Sequence, residues 1–233
     1  MAELTLQEYQ FHDMKLTWLR GADKLTDAGT LFGPVPKVVW SRYYPTNDAN
    51  MMAELTDPIL IQYKGKNYLI DASFDTAKLS DKQRRNLGIL SESRVEESLA
   101  LLGLSPEDID IVLMTHMHHD HSGGLTYVND QGKLVSKYPN AKIIVNDVEW
   151  YEMRNPNNRT RGTYLRENWE PIQDQVTTFS EYQCHSRNPN DSYKWSQQWP
   201  QYYLAQTGER YDDPYGGFDV ITCSSKSSLG SSS

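Results

Sequence analysis

Short runs of apolar and β-branched residues recur between Leu16 and about Phe179, at Lys15 to Leu19, Pro58 to Tyr63, Tyr68 to Ile70, Ile109 to Met114 and Ile143 to Val145. Each is too short for a helix and is bounded by turn-forming residues such as Lys64-Gly65-Lys66-Asn67, so each is a predicted strand. Between them the spacing changes. Ser80-x-x-Gln83 is a capping box that opens a short helix, and Gly88 closes it. Val95, Leu99 and Leu102 fall at i, i+4 and i+7 on a second amphipathic helix that Gly103 stops. Ser105, followed by Pro106, Glu107 and Asp108, is a further helix start with proline in the first turn, placed just before the strand at Ile109. Strands alternating with helices, without an internal repeat, predict a layered α/β domain.

The pattern stops near Glu181. From Tyr182 to Ser233 the only Leu, Ile or Val residues are Leu204, Val220, Ile221 and Leu229, in a segment crowded with Ser, Gln, Tyr and Asp that ends in a serine-rich run. Such a composition can hardly bury a face and is that of a flexible tail. The expected organisation is therefore a folded domain over residues 1–181 and an atypical segment over 182–233.

Composition narrows the classes of function. The chain has 233 residues with 38% in the hydrophobic set, enough for one sizeable core, and a net charge of −8. That charge repels a phosphate backbone, so nucleic-acid binding through bulk electrostatics is not expected. No stretch reaches the length of about 20 apolar residues that spans a bilayer, and the start has neither a basic nor an apolar leader region, so the expected location is the cytoplasm, with no membrane partner. Cys184 and Cys223 are the only cysteines, too few for a disulfide framework or an all-thiolate zinc site. Metal chemistry would have to use histidine and carboxylate.

Those residues are concentrated in one place. Of six histidines in the chain, His116, His118, His119 and His121 lie together in Met114-Thr115-His116-Met117-His118-His119-Asp120-His121-Ser122-Gly123-Gly124. Leaving a strand, residues i and i+2 point to one side, so His116 and His118 can present imidazoles to one cation while Asp120 and His121 turn towards a neighbouring one. Neutral imidazole suits zinc or another borderline ion, and the carboxylate adds the negative charge that paired cations need. An adventitious surface chelator is the alternative, but the apolar run Ile111 to Met114 delivers the cluster to the end of a buried strand, where ionisable groups need a reason to be. Gly123 and Gly124 allow the backbone to pass close beneath. His119, His12 and His185 receive no role from spacing.

His116-x-His118-x-Asp120-His121 after a hydrophobic strand resembles the signature of the metallo-β-lactamase superfamily, an αββα sandwich of dinuclear metal hydrolases. Leu16 to Gly21, Phe32 to Ser41, Tyr68 to Asp71 and Glu167 to Ile172 are similar to the YtnP-like quorum-quenching lactonases, over about residues 14 to 181. The resemblance implies two zinc or other divalent ions, the first on His116 and His118, the second on Asp120 and His121. It further implies that water made acidic by both attacks an ester or lactone carbonyl, with N-acyl homoserine lactones as the expected substrates and Asp120 carrying the proton to the leaving alkoxide. Other ester, thioester or phosphoester hydrolysis on the same fold, or a non-catalytic metal-binding fragment, are the alternatives. Asp71 stands at the family's buried acidic position, either supporting a ligand or capping a turn. Phe32 to Trp40, stiffened by Pro34 and Pro36, offers either an apolar wall for an acyl chain or core packing.

The resemblance also implies a later His-Thr-x-Gly-His-x-x-Gly-His segment carrying further ligands, and the chain instead has Asp191-Ser192-Tyr193-Lys194-Trp195-Ser196-Gln197-Gln198-Trp199-Pro200-Gln201-Tyr202. Tryptophan has the single codon TGG. A frame advanced by one nucleotide therefore forces glycine at Trp195, given a TCN codon for Ser196, and at Trp199, and permits His-Thr-(Ser/Asn)-Gly-His-(Ser/Asn)-(Ser/Asn)-Gly-His across the run. The expected metal motif lies in the shifted frame. A frameshift near residues 181 to 184 is the inference, and it predicts that one apolar sheet face loses its cover and that each metal lacks ligands.

Overall fold

The computed structural model describes residues 4–180. The strands are β1 (Gln7–Phe11), β2 (Met14–Trp18), β3 (Asp23–Asp27), β4 (Met51–Leu55), β5 (Ile59–Tyr63), β6 (Lys66–Ile70), β7 (Ile111–Leu113), β8 (Thr126–Val128), β9 (Leu134–Ser136), β10 (Lys142–Asn146) and β11 (Val176–Phe179). Among them run α1 (Ala28–Phe32), α2 (Lys37–Trp40), α3 (Asp81–Asn86), α4 (Val95–Leu101), α5 (His119–Ser122) and α6 (Asp147–Arg154). One mixed sheet orders its strands β1-β2-β5-β6-β7-β10-β11. β1, β2, β5 and β6 form an antiparallel meander, and β7 lies parallel to both β6 and β10. The β5–β6 turn has Lys64 and Gly65 both at positive φ (49° and 73°), the conformation that suits a two-residue hairpin to strand twist.

Period-two alternation divides the two faces of this sheet. Leu60, Leu69, Val112, Ile143 and Val145 point into the main core with Val95 and Leu99 of α4, Met153 of α6, and Trp169 and Ile172. The opposite face gathers Met14, Leu16 and Ile61 with Phe11, Trp18, Ile59, Tyr63, Tyr68 and Ile70. That second cluster draws every member from β1, β2, β5 and β6, and only Met14, Leu16 and Ile61 are fully buried.

The expected helices form where their signals stand. Ser80 and Gln83 exchange capping-box hydrogen bonds at the start of α3, and Gly88 and Gly103 take positive φ after α3 and α4. The start at Ser105 produces only a single 3-10 turn over Pro106–Asp108, because the chain must extend again at once into β7. β3 and β4 form a separate hairpin sheet, as do β8 and β9. Tail composition and the shifted-frame motif concern residues 182–233, which lie outside the described residues.

Candidate metal centre

Two loops converge at the C-terminal ends of the parallel strands β6 and β7. β7 ends at Leu113 and the chain runs through Thr115 to His118 before α5 begins, so the histidine cluster sits at the strand's exit. β6, its parallel neighbour, ends at Ile70 and delivers Asp71 beside it, with the Asp71 amide donating to Leu113 O at 3.0 Å. Ala72 N then donates to His121 O at 2.8 Å, and Gly124 N to Ser73 O at 2.8 Å. A Cβ on Gly124 would lie 2.0 Å from Ala72 O, so the two backbones meet at a distance that only glycine permits. The close passage expected of Gly123-Gly124 is therefore what seats α5 against the 71–74 loop, where Asp71 and Ser73 both hold positive φ.

The imidazoles of His116, His118 and His121 come together. The His116 ring lies 4.5 Å from that of His118 and 4.0 Å from that of His121, centroid to centroid. Asp71 organises them. Its carboxylate accepts from Thr115 N (2.9 Å) and from Thr115 Oγ1 (2.8 Å), and Oδ2 stands 2.8 Å from His121 Nδ1. Thr115 Oγ1 in turn lies 3.0 Å from His116 Nδ1. Since the threonine proton is given to Asp71, its oxygen accepts from His116 Nδ1–H. The same logic puts a proton on His121 Nδ1, so both rings keep the Nε2 lone pair free. Asp71 thus holds His121 directly and His116 through Thr115, and it caps the 115 turn as well.

Burial sets the charge states. It lowers His116 to about 4, helped by the neighbouring His121 and His118, and lowers His118 as well, so these two imidazoles are neutral donors. His121 is raised: burial opposes its charge, but the bond to Asp71 outweighs it. Asp120 is pulled below the usual carboxylate range, since His121 and Lys24 together overcome the burial that would raise it. His119, to which spacing gave no role, stacks 5.6 Å from Phe74 and is lowered to about 4 by burial.

Asp120 lies near these imidazoles, with Oδ1 3.6 Å from His119 Nδ1, and also has a partner from a distant strand. Its Oδ2 accepts from Lys24 Nζ at 2.8 Å, a pairing that sequence reasoning missed. Glu149, at the start of α6, was missed too. It accepts from Met117 N at 2.7 Å, and Tyr164, whose ring lies 5.3 Å from His118, hydrogen-bonds to it. Among the described residues no three His, Cys, Asp or Glu side chains converge as a ready-made cage for one ion. The donor chemistry nevertheless fits a borderline divalent cation: neutral imidazoles, ionised carboxylate and fixed tautomers. The Phe32 to Trp40 segment divides between its two readings. Phe32 and Trp40 stack at 4.6 Å with Trp40 buried, whereas Val35, Val38 and Val39 stay exposed. His185 lies outside the described residues, and among those described no helix is long and apolar enough to cross a membrane.

Residues 53–172, just over half of the chain, match the family model described as the metallo-beta-lactamase superfamily. The chain belongs to the metallo-beta-lactamase superfamily. A probable metal-dependent hydrolase from Staphylococcus aureus is similar at 38% identity and a TM-score of 0.70, over 78% of this chain and 63% of that one. The N-acyl homoserine lactonase AiiB of Agrobacterium fabrum is 49% identical over 37 residues, 16% of this chain and 13% of that protein. AidC, a dizinc quorum-quenching lactonase solved with its homoserine product, shares the superfamily fold at 17% identity and a TM-score of 0.58, over 78% of this chain and 63% of that one. The chain thus spans less than two thirds of each of these relatives. The histidine cluster and Asp71 lie inside the matched superfamily region.

Proposed function

We propose that the chain carries a divalent-metal hydrolase site whose substrates are N-acyl homoserine lactones. The observation that carries this reading is the half-buried group of His116, His118 and His121, with the tautomers of His121 and His116 fixed by Asp71 directly and through Thr115, set beside an ionised Asp120. Lactonases among the similar proteins support the choice of substrate. His116 and His118 would hold one zinc or other divalent ion, and Asp120 with His121 a second. Such a pair of ions, when bound, supplies the acidity that makes water nucleophilic near neutral pH and the charge that polarises a carbonyl oxygen. The side chains supply the rest. Asp71 keeps the imidazoles oriented, directly at His121 and through Thr115 at His116. Asp120, held ionised, takes up a proton and passes it to the leaving alkoxide. Exposed Leu31, Val35, Val38 and Val39 offer apolar surface for an acyl chain. The further ligands implied by the superfamily resemblance fall beyond residue 180, in the segment read as frameshifted.

The test is turnover of an N-acyl homoserine lactone, followed by acid release, beside an aryl ester and a phosphodiester, with zinc present and after chelation. Lactone-selective, chelator-sensitive turnover lost in Asp120→Asn is the expected result. Preference for the phosphodiester would overturn the substrate, and metal retention without turnover of any of the three would reduce the chain to a metal-binding fragment. The coding nucleotides from Gln175 onward test the frameshift: codons incompatible with the shifted histidine motif would refute it.

A further inference from the structure

Lys24 is a buried lysine, 7% exposed, on a strand that carries no other part of the site. Its backbone is fixed from both sides. β3 pairs with β4 along its length, while Leu25 N donates to Gly88 O at 2.7 Å and Lys24 bridges Ile89, so the strand is clamped against the residues after α3. From that position the ammonium has two carboxylates within reach. Asp120 Oδ2 is 2.8 Å away and Glu54 Oε2, across the hairpin, is 3.5 Å away; Glu54 itself is held by Thr26 Oγ1.

This arrangement has a chemical consequence for the carboxylate expected to hold the second ion. A cation at Asp120 must take the place of a cation already there, and a nearly buried ammonium cannot simply leave for water. Glu54 gives it somewhere to go. We propose that Lys24 is a built-in competitor for the ion at Asp120 and His121: its ammonium occupies Asp120 when that ion is absent and passes to Glu54 when the ion binds, so the Lys24–Glu54 pair sets the affinity of the second position while leaving the His116–His118 position untouched. The inference rests on the metal-site reading above and adds to it an order of loading, His116 and His118 first. No covalent bond is made or broken: the ion would bring two positive charges to Asp120 where the ammonium brought one, and Glu54 would neutralise the displaced ammonium.

Two substitutions move the second step in opposite directions. Full-length chain is titrated with cobalt(II) alone, by calorimetry and by visible absorption, which reports each filled position separately. Lys24→Met removes the competitor and is expected to tighten the second step, and Glu54→Gln removes the ammonium's alternative partner and is expected to weaken it. Couplings of this kind move affinity about 5- to 150-fold. The first step stays within about threefold in both, a scale set by the lower end of that range. Lys24→Arg keeps the charge and should behave as wild type, and Lys24→Gln serves if the methionine variant does not fold by far-UV dichroism. In an Asp120→Asn background Lys24→Met should no longer change metal uptake, whereas a merely structural lysine would act regardless. Cobalt retained in two steps that ignore Lys24→Met, or a second step that weakens, overturns the role of Lys24 and spares the metal site. Wild-type chain that holds no cobalt overturns the metal site and this inference with it.

Discussion

Asp71→Asn isolates the second layer of the centre with little change of shape. Asparagine tolerates the left-handed backbone that Asp71 adopts at φ 58°, so the turn after β6 survives. Its remaining oxygen, in the place of Oδ1, can still accept from Thr115 N and, at 3.1 Å, from Thr115 Oγ1, which leaves the amide group facing His121 Nδ1, 2.8 Å away in the native site. A donor then faces a donor. One hydrogen bond to a charged group is lost, at about 1.5–3 kcal/mol, and the unpartnered N–H adds a desolvation cost of about 1–3 kcal/mol unless His121 moves its proton to Nε2. The imidazole relieves the conflict by that shift, which returns most of the second cost, so a loss of about 2–3 kcal/mol in urea-unfolding stability is expected for the metal-free chain. The same shift removes the lone pair that Nε2 offers to a metal. Zinc affinity at the His121 position should therefore fall by about 10- to 100-fold, the usual range for a ligand's supporting partner. Chelator-competition titration of the folded variant reads the affinity directly. An affinity within about threefold of wild type, well short of that range, with stability lowered as expected, would show that Asp71 holds the fold and not the tautomer.

Other expectations follow from particular contacts. Gly124→Ala drives a Cβ to 2.0 Å from Ala72 O and should lower stability by about 3 kcal/mol or more, while Gly162→Ala, with nothing within 4 Å, should be nearly silent in thermal melts. Ser80→Ala removes the half of the capping box in which the Ser80 hydroxyl accepts from Gln83 N, leaves the bond from Ser80 N to the Gln83 side chain, and should cost about 1 kcal/mol by urea unfolding. Burial lowers Lys78 from 10.5 to about 8, so between those values the unfolded chain binds a proton that the folded chain has released, and this residue's contribution to stability rises with pH across that window. Lys78→Met should abolish that increment, on the order of 3 kcal/mol, in the difference between variant and wild-type stability measured from pH 8 to 10.5; a difference independent of pH would refute the shift.

What the sequence made legible, and what it hid, divides by the distance over which each group acts. The clustered histidines His116, His118 and His121 lie within six positions at the exit of an apolar strand, so local spacing was enough to predict that their side chains gather, and the capping box at Ser80 and the glycines at 88 and 103 announced their helix ends in the same way. β1 was hidden because Gln7, Glu8, Tyr9 and Gln10 are all exposed, so the strand is held by pairing with β2 and carries no apolar alternation of its own. β3 and β4 were hidden for a related reason, since Asp23, Lys24, Thr26 and Glu54 put charge and hydroxyl where a periodic search looks for aliphatic side chains.

That concealment matters most for the site, because the charges on β3 and α6 are the ones that complete it. Lys24 meets Asp120 across 96 residues and Glu149 reaches Met117 N across 32, and neither pair leaves a motif, since a lysine or glutamate in a polar run reads as a solvated face until the fold closes around it. Asp71 falls between the two cases: its place at a strand end was legible, but its direct hold on His121 and its hold on His116 through Thr115 required β6 and β7 to lie parallel and in register, Ile70 beside Leu113. In this fold the groups that would bind an ion are written contiguously, and the groups that hold them, orient them and compete for them are brought in by sheet topology. Substitutions in the local motif therefore test whether a metal is held at all, while those at Lys24, Asp71 and Glu149 test how tightly and in what order.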